Sequence, residues 1–243
     1  MLETSKVQRV LVITAHPDDV DFGAAATVAN LTDAGVEVTY CLVTDGDAGG
    51  FDQTIPRPQM ALLRREEQTR AAKEVGVERL VFLGFGDGRV EYNLALREAL
   101  TRVIRDVRPQ RVITQSPELN LNRIYASHPD HVATAQGAIA AVYPDARNPF
   151  AYPHLLAEGL EAWTVPEIWI MSVGASTGDA VVHVEDVTGN VDRKIRALMC
   201  HETQHTDPGR IDTMVRTWMQ ASAAQFGLPD GHSAEAFQVV NTG

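Results

Sequence analysis

The stretch VLVITAHPDDVDFGAAATVANLTDAG, residues 10–35, decides the fold. Val10 to Thr14 is short, continuous and β-branched, which is how a buried strand reads. From Phe22 to Ala34, Ala, Val and Leu recur at helical spacing, and Gly35 closes the run as glycine commonly closes helices. Between strand and helix lie His16, Pro17, Asp18 and Asp19. Outward from this unit the alternation continues. Val36 to Thr44 reads as a second strand, followed by a Gly-, Asp- and Pro-rich loop over Asp45 to Pro58. Gln59 to Val75 reads as a charged amphipathic helix closed at Gly76, and Arg79 to Leu83 as a third strand. Leu94 to Val107 is a helix ended before Pro109, Arg111 to Thr114 a fourth strand, and His131 to Val142 an Ala-rich helix. Strands alternating with helices predict an α/β fold: a Rossmann-like, mostly parallel sheet with helices on both faces.

The last third is less regular. Asn148 to Thr164 is aromatic and proline-punctuated. Glu167 to Met171 and Ala180 to Val184 read as strands, and Val191 to Cys200 and Arg210 to Gln225 as helices, the first with Asn190 as N-cap. No linker-like stretch divides the chain. The expectation is a single domain, 1–243, with a core over 1–145 and a C-terminal α/β extension over 146–243.

Composition narrows the function. The chain has 32 acidic against 21 basic residues, a formal charge of -11, which argues against nucleic acid held by phosphate contacts and against a basic membrane-surface protein. No apolar run approaches the roughly 18 residues of a membrane span. The polar start, running straight into Asp18 and Asp19, does not resemble a signal peptide. Cys41 and Cys200 cannot make a disulfide scaffold; Cys41 reads as a buried free thiol. A reduced, cytoplasmic protein is expected.

Two clusters can carry chemistry. The first, His16-Pro17-Asp18-Asp19, ends the first strand. A plain turn with an Asp N-cap explains one carboxylate, but not His, Asp and Asp together, whose like charges repel unless something positive sits among them. The second, Ser127-His128-Pro129-Asp130-His131, follows the fourth strand. Together they offer nitrogen and oxygen ligands without cysteine, which suits catalytic zinc with an open position. Hydrolysis then needs a carboxylate to take a proton from water and an acid to protonate the leaving amine. From spacing alone, which Asp binds metal and which serves as base stays open.

Three further features have plainer readings. His201 and His205, four apart, read as a helix-end or rim feature. The tryptophans Trp163, Trp169 and Trp218 read as packing residues. The segment Gly46 to Pro58 reads as a turn and a candidate mobile lid, since it lacks a phosphate-loop pattern.

AHPDD (15–19) followed more than a hundred residues later by HPDH (128–131) resembles the PIG-L/LmbE deacetylases. The likeness extends along the chain. Arg64-Arg65-Glu66-Glu67, leading to Val75-Gly76-Val77, resembles the family's R-x-x-E…LGV helix. LGFGDG (83–88) resembles its L-G-x-x-D-G loop, and KIRALMCHETQ (194–204) its K-x-x-A-L-x-x-H-x-S-Q helix. Each fragment is weak alone, whereas the ordered set is specific.

The resemblance implies His16, Asp19 and His131 as ligands of one zinc ion per chain, with other divalent metals as alternatives. It implies Asp18 as general base, His128 as general acid and oxyanion partner, and Asp130 as the hydrogen-bond partner of His128. Arg64 would reach the sugar or its aglycone, and Asp87 would hold sugar hydroxyls. The implied reaction removes an N-acetyl group from an N-acetylglucosamine-type amino sugar or glycosylated small molecule. A larger amide, such as a thiol-sugar conjugate, and a non-catalytic metal-binding member are the alternatives. A homo-oligomer is left open, Asn148 to Pro153 being one stretch that could form an interface or line the pocket. The sequence departs from the family at Val20, where Glu is frequent and Asp21 follows one residue later. Ala126 stands where several members have Tyr, with Tyr125 one residue earlier, and Thr203 replaces Ser.

Overall fold

Alternate residues of β1 (Arg9–Thr14) serve opposite layers, as a strand buried on both faces requires. Val10 and Val12 pack with Val28, Ala29, Ala71, Ala72 and Val75 in one apolar cluster, whereas Leu11 and Ile13 pack with Leu96, Leu100, Ile104 and Ala138 in another. The computed structural model describes residues 1–122, 124–171 and 182–243. In chain order β1 leads to α1 (Asp19–Gly23), α2 (Ala25–Asp33), β2 (Glu37–Thr44), α3 (Arg57–Glu74), β3 (Arg79–Phe85), α4 (Leu94–Val107), β4 (Arg111–Thr114) and α5 (Pro129–Ala140). After these come α6 (Pro153–Ala157), β5 (Glu167–Ile170), β6 (Val182–Asp186), α7 (Val191–Met199), α8 (Pro208–Gln225) and β7 (Ala234–Asn241).

The strands form one sheet in the order β3-β2-β1-β4-β5-β7-β6. β1 to β5 pair in parallel, and β7 runs antiparallel between β5 and β6. The expected Rossmann-like sheet with helices on both faces and a C-terminal extension is present. The chain winds outward from β1 to β3 and then returns to place β4 beside β1. That reversal opens a crevice beyond the carboxyl ends of β1 and β4, where such sheets bind ligands.

Two elements differ from expectation. The helix expected from Phe22 is two, α1 and α2, broken at Ala24 (φ -148°). β7 was not anticipated; it pairs with β5 and β6 and so carries β6 into the sheet, while β5 joins the extension to β4 of the core. The strand expected over Ala180 to Val184 is seen from Val182, its first two residues lying outside the described residues. Buried ion pairs tie the extension down. Arg111 meets Glu167 at 2.7 Å and lies 3.6 Å over the Trp169 ring, while Lys194 meets Glu235 at 2.6 Å. Glu235 also accepts from the Thr27 N–H at the start of α2. Cys41 is a free, buried thiol that burial pushes up to about 12, so it is unreactive. Among the described residues no helix is long and apolar enough to cross a membrane.

Candidate metal centre

The crevice between β1 and β4 brings the two sequence clusters together. His16, Asp18 and Asp19 leave β1, and His128 and His131 open α5 after β4. Proline at the first position of α5, Pro129, presets the backbone for the helix, and His128 caps it by accepting the Asp130 N–H at Nδ1, 3.2 Å away. The three imidazole rings lie 4.9–5.3 Å apart, centre to centre.

Three residues, His16, Asp19 and His131, turn donor atoms toward one another. His16 Nδ1 is 3.2 Å from His131 Nε2, and Asp19 places one oxygen 3.3 Å from the former and the other 3.0 Å from the latter. Ligands at about 2.0–2.1 Å around a tetrahedral ion stand roughly 3.3 Å from one another, so this spacing is what a zinc-sized ion needs. The other face of His16 completes the test. Its Nε2 lies 3.1 Å from both Asp130 and Asp87, as a metal-bound histidine gives its second N–H to a carboxylate. Asp130 also accepts the N–H groups of Gly88 (2.7 Å) and Val90 (3.1 Å), and Asp87 that of Ala48 (2.9 Å). The residues present therefore fit a divalent cation at His16, Asp19 and His131.

The electrostatics agree. Burial works against charge on His16, yet Asp130, Asp19 and Asp87 overcome it and push the ring up to about 12. The three carboxylates around the ring make a place where positive charge is favoured. Burial likewise opposes ionisation of Asp19 and Asp87, but the neighbouring histidines hold Asp19 well below the usual range and His16 brings Asp87 to about 2. Burial pulls His128 down, helped by the charge on His16.

Asp18 stands apart from these. Its backbone is left-handed (φ 86°, ψ -27°), a conformation that costs an L-residue roughly 1–2 kcal/mol. Its carboxylate turns to Arg64, 3.1 Å away, while Asp19 beside it turns to the histidines. Burial raises the Asp18 carboxyl, and Arg64 only partly offsets this.

Three expectations change. The Asp130 carboxylate engages His16, and it is the backbone N–H of Asp130 that reaches His128. Arg64 is buried beneath the crevice, donating to Gly46 and Pro17 carbonyls and to Asp18, not extended to the rim. His201 does follow the end of α7, but it is buried and not at a rim, its Nε2 2.8 Å from Asp21. Burial opposes charge there too, but Asp21 raises His201. Sequence reading passed over Gln68, which bonds both Asp18 and Asp21 at 2.8 Å. Its only signal was a polar residue on the inward face of α3. The loop after β2 is pinned at its base by Arg57–Asp47 and Arg65–Asp45 pairs at 2.7 Å, leaving Phe51 to Thr54 exposed. Tyr125 is also exposed.

Fold and site together define an α/β protein with a candidate histidine–carboxylate metal site at the switch point of its sheet. The chain belongs to the PIG-L family: the model of GlcNAc-PI de-N-acetylase matches residues 11–142. It is 32% identical to the diacetylchitobiose deacetylase of Thermococcus kodakarensis, over 96% of this chain and 84% of the relative. It is 29% identical to a probable N-acetyl-alpha-D-glucosaminyl L-malate deacetylase 2 of Bacillus cereus, over 81% and 84%. The N,N′-diacetylchitobiose deacetylase from Pyrococcus horikoshii superposes with a TM-score of 0.86 at 27% identity, covering 98% of this chain and 85% of that one.

Proposed function

We propose that this chain is a zinc-dependent N-deacetylase that frees acetate from an N-acetylglucosamine-type amino sugar, with a small chitooligosaccharide as the leading substrate. The observation that carries the reading is the triad of His16, Asp19 and His131 donors 3.0–3.3 Å apart, flanked by Asp18 and His128. The relationship to diacetylchitobiose deacetylases supports the substrate class.

A zinc ion at these donors supplies Lewis acidity toward a carbonyl and lowers the pKa of water. The rest falls to the protein. Asp18 takes a proton from the attacking water, and the oxygen adds to the acetamide carbon. The C–N bond then breaks, and the nitrogen leaves with the proton that Asp18 took from water. His128 accepts a backbone N–H at Nδ1, so its own proton sits on Nε2, where it hydrogen-bonds the carbonyl oxygen as negative charge develops there. Asp130 and Asp87 fix the His16 ring and its tautomer. The products are acetate and a free amine.

Acetate release from N,N′-diacetylchitobiose by the zinc-loaded protein tests the proposal. Turnover in the wild type and its loss in Asp18→Asn with zinc retained is the expected result. Zinc bound with no release from this substrate or from N-acetylglucosaminyl malate sinks the substrate assignment.

A further inference from the structure

Helix α3 reaches under the site with two side chains one turn apart, Arg64 and Gln68, both buried. They grip opposite ends of a single peptide group. Arg64 Nη2 donates to the Pro17 carbonyl, and the Asp18 N–H donates to Gln68 Oε1 at 2.8 Å. The peptide so held leads into the left-handed Asp18. The orientation of the Gln68 amide is set on both sides, since its Oε1 accepts from the Asp18 N–H and its Nε2 donates at 2.8 Å to Asp21 Oδ2, against which a turned amide would place its oxygen. The same oxygen is met by His201 Nε2 at 2.8 Å. Gln68, Asp21 and His201 are all buried, at 0%, 0% and 1% exposure.

Packing alone does not call for this chain of polar groups. The inward face of α3 already buries Ala71, Ala72 and Val75 in the core. An apolar side chain at position 68 would pack there without the desolvation that a buried amide and carboxylate incur. The polar chain ends at the Asp18 N–H, which has no helical partner.

We propose that Gln68, braced by Asp21 and His201, is a positioning residue for the reaction. It locks the Pro17–Asp18 peptide so that the Asp18 carboxylate stays between Arg64 and the metal centre. The inference rests on the reading of Asp18 as the base. It also gives the C-terminal segment a part in a site whose proposed ligands all come from the core, since His201 joins Asp21 across 180 residues of chain.

Gln68→Met removes both hydrogen bonds, and Gln68→Glu keeps an acceptor for Asp18. The readouts are amide hydrogen exchange at Asp18, zinc content, and kcat and KM on N,N′-diacetylchitobiose. In Gln68→Met the Asp18 amide should exchange about tenfold faster, the factor one hydrogen bond is worth. Zinc content and KM should hold, while kcat falls about 10- to 100-fold, as small displacements of catalytic groups do. Gln68→Glu should recover part of that loss. Adding Gln68→Met to Asp18→Asn should cost nothing further, because both act through one group. Should Gln68→Met not fold, Gln68→Asn, which shortens the amide by one methylene, carries the same expectations. Unchanged exchange at Asp18, zinc lost in step with activity, or additivity with Asp18→Asn overturns the inference. Asp18→Asn with wild-type turnover overturns the role of Asp18 instead, and the exchange result still judges the clamp.

Discussion

At the scale of single residues, neighbouring aspartates face different partners because the backbone turns between them. Asp19 faces the histidines, and left-handed Asp18 faces Arg64. Replacing Asp18 by Asn should lower kcat by about 10²–10⁴, the usual worth of a general base, with zinc unchanged on elemental analysis. Replacing His131 by Ala should lose the metal too. Replacing Asp130 by Asn should weaken zinc binding about 10- to 100-fold, through the His16 ring, in a chelator competition. The pH dependence follows from Asp18. The base acts ionised, so kcat/KM rises as pH climbs through its pKa. Burial raises that pKa above the ordinary aspartate value of 3.8, and Arg64 opposes the rise. The acid limb of kcat/KM should lie above that value, and Arg64→Met should move it higher still. A limb that stays put in Arg64→Met contradicts this account of Asp18.

At the scale of elements, the loop after β2 forms a wall of the site. Gly46 has φ +65°, and a Cβ there would fall 2.2 Å from Arg64 Nη1. Gly46→Ala should cost about 1–2 kcal/mol from backbone strain and reduce turnover by displacing Arg64. Gly35→Ala, at φ +81° with nothing within 4 Å, should show a similar loss in urea unfolding but full turnover. Elements with strong periodicity were legible in the sequence: β1 to β5, α3, α4 and α5 lie close to where their apolar spacing puts them. β7 was not, although Pro229-Asp230-Gly231 precedes it, because AEAFQVVN mixes Ala, Glu and Gln into a short run with few β-branched residues. The break at Ala24 went unread although Gly23 stands just before it, because the helical spacing of Ala, Val and Leu runs on across both. The proposed ligands were legible because His and Asp cluster at strand ends. Their supports were not, because Asp130 to His16 and Asp21 to His201 join residues distant in sequence, and only the return of β4 to β1 and the packing of α7 bring them close.

At the scale of the whole molecule, the sheet order places the crevice, and the antiparallel addition of β7 and β6 holds the C-terminal segment against it. Arg111, Glu167 and Trp169 anchor this junction with almost no exposure. Glu167→Ala leaves the Arg111 guanidinium buried without its partner and should destabilise the fold by about 3–5 kcal/mol. The urea midpoint reads this, and the zinc stoichiometry of the protein that remains folded should not change. The central claim is that residues from two strand ends make one metal centre for hydrolysis. Zinc content measured together with acetate release from N,N′-diacetylchitobiose, before and after chelation, tests it most directly. The account predicts about one zinc per chain, loss of metal and release together on chelation, and return of both when zinc is restored. Release that persists in metal-free protein, or a chain that takes up no zinc when it is supplied, would contradict it.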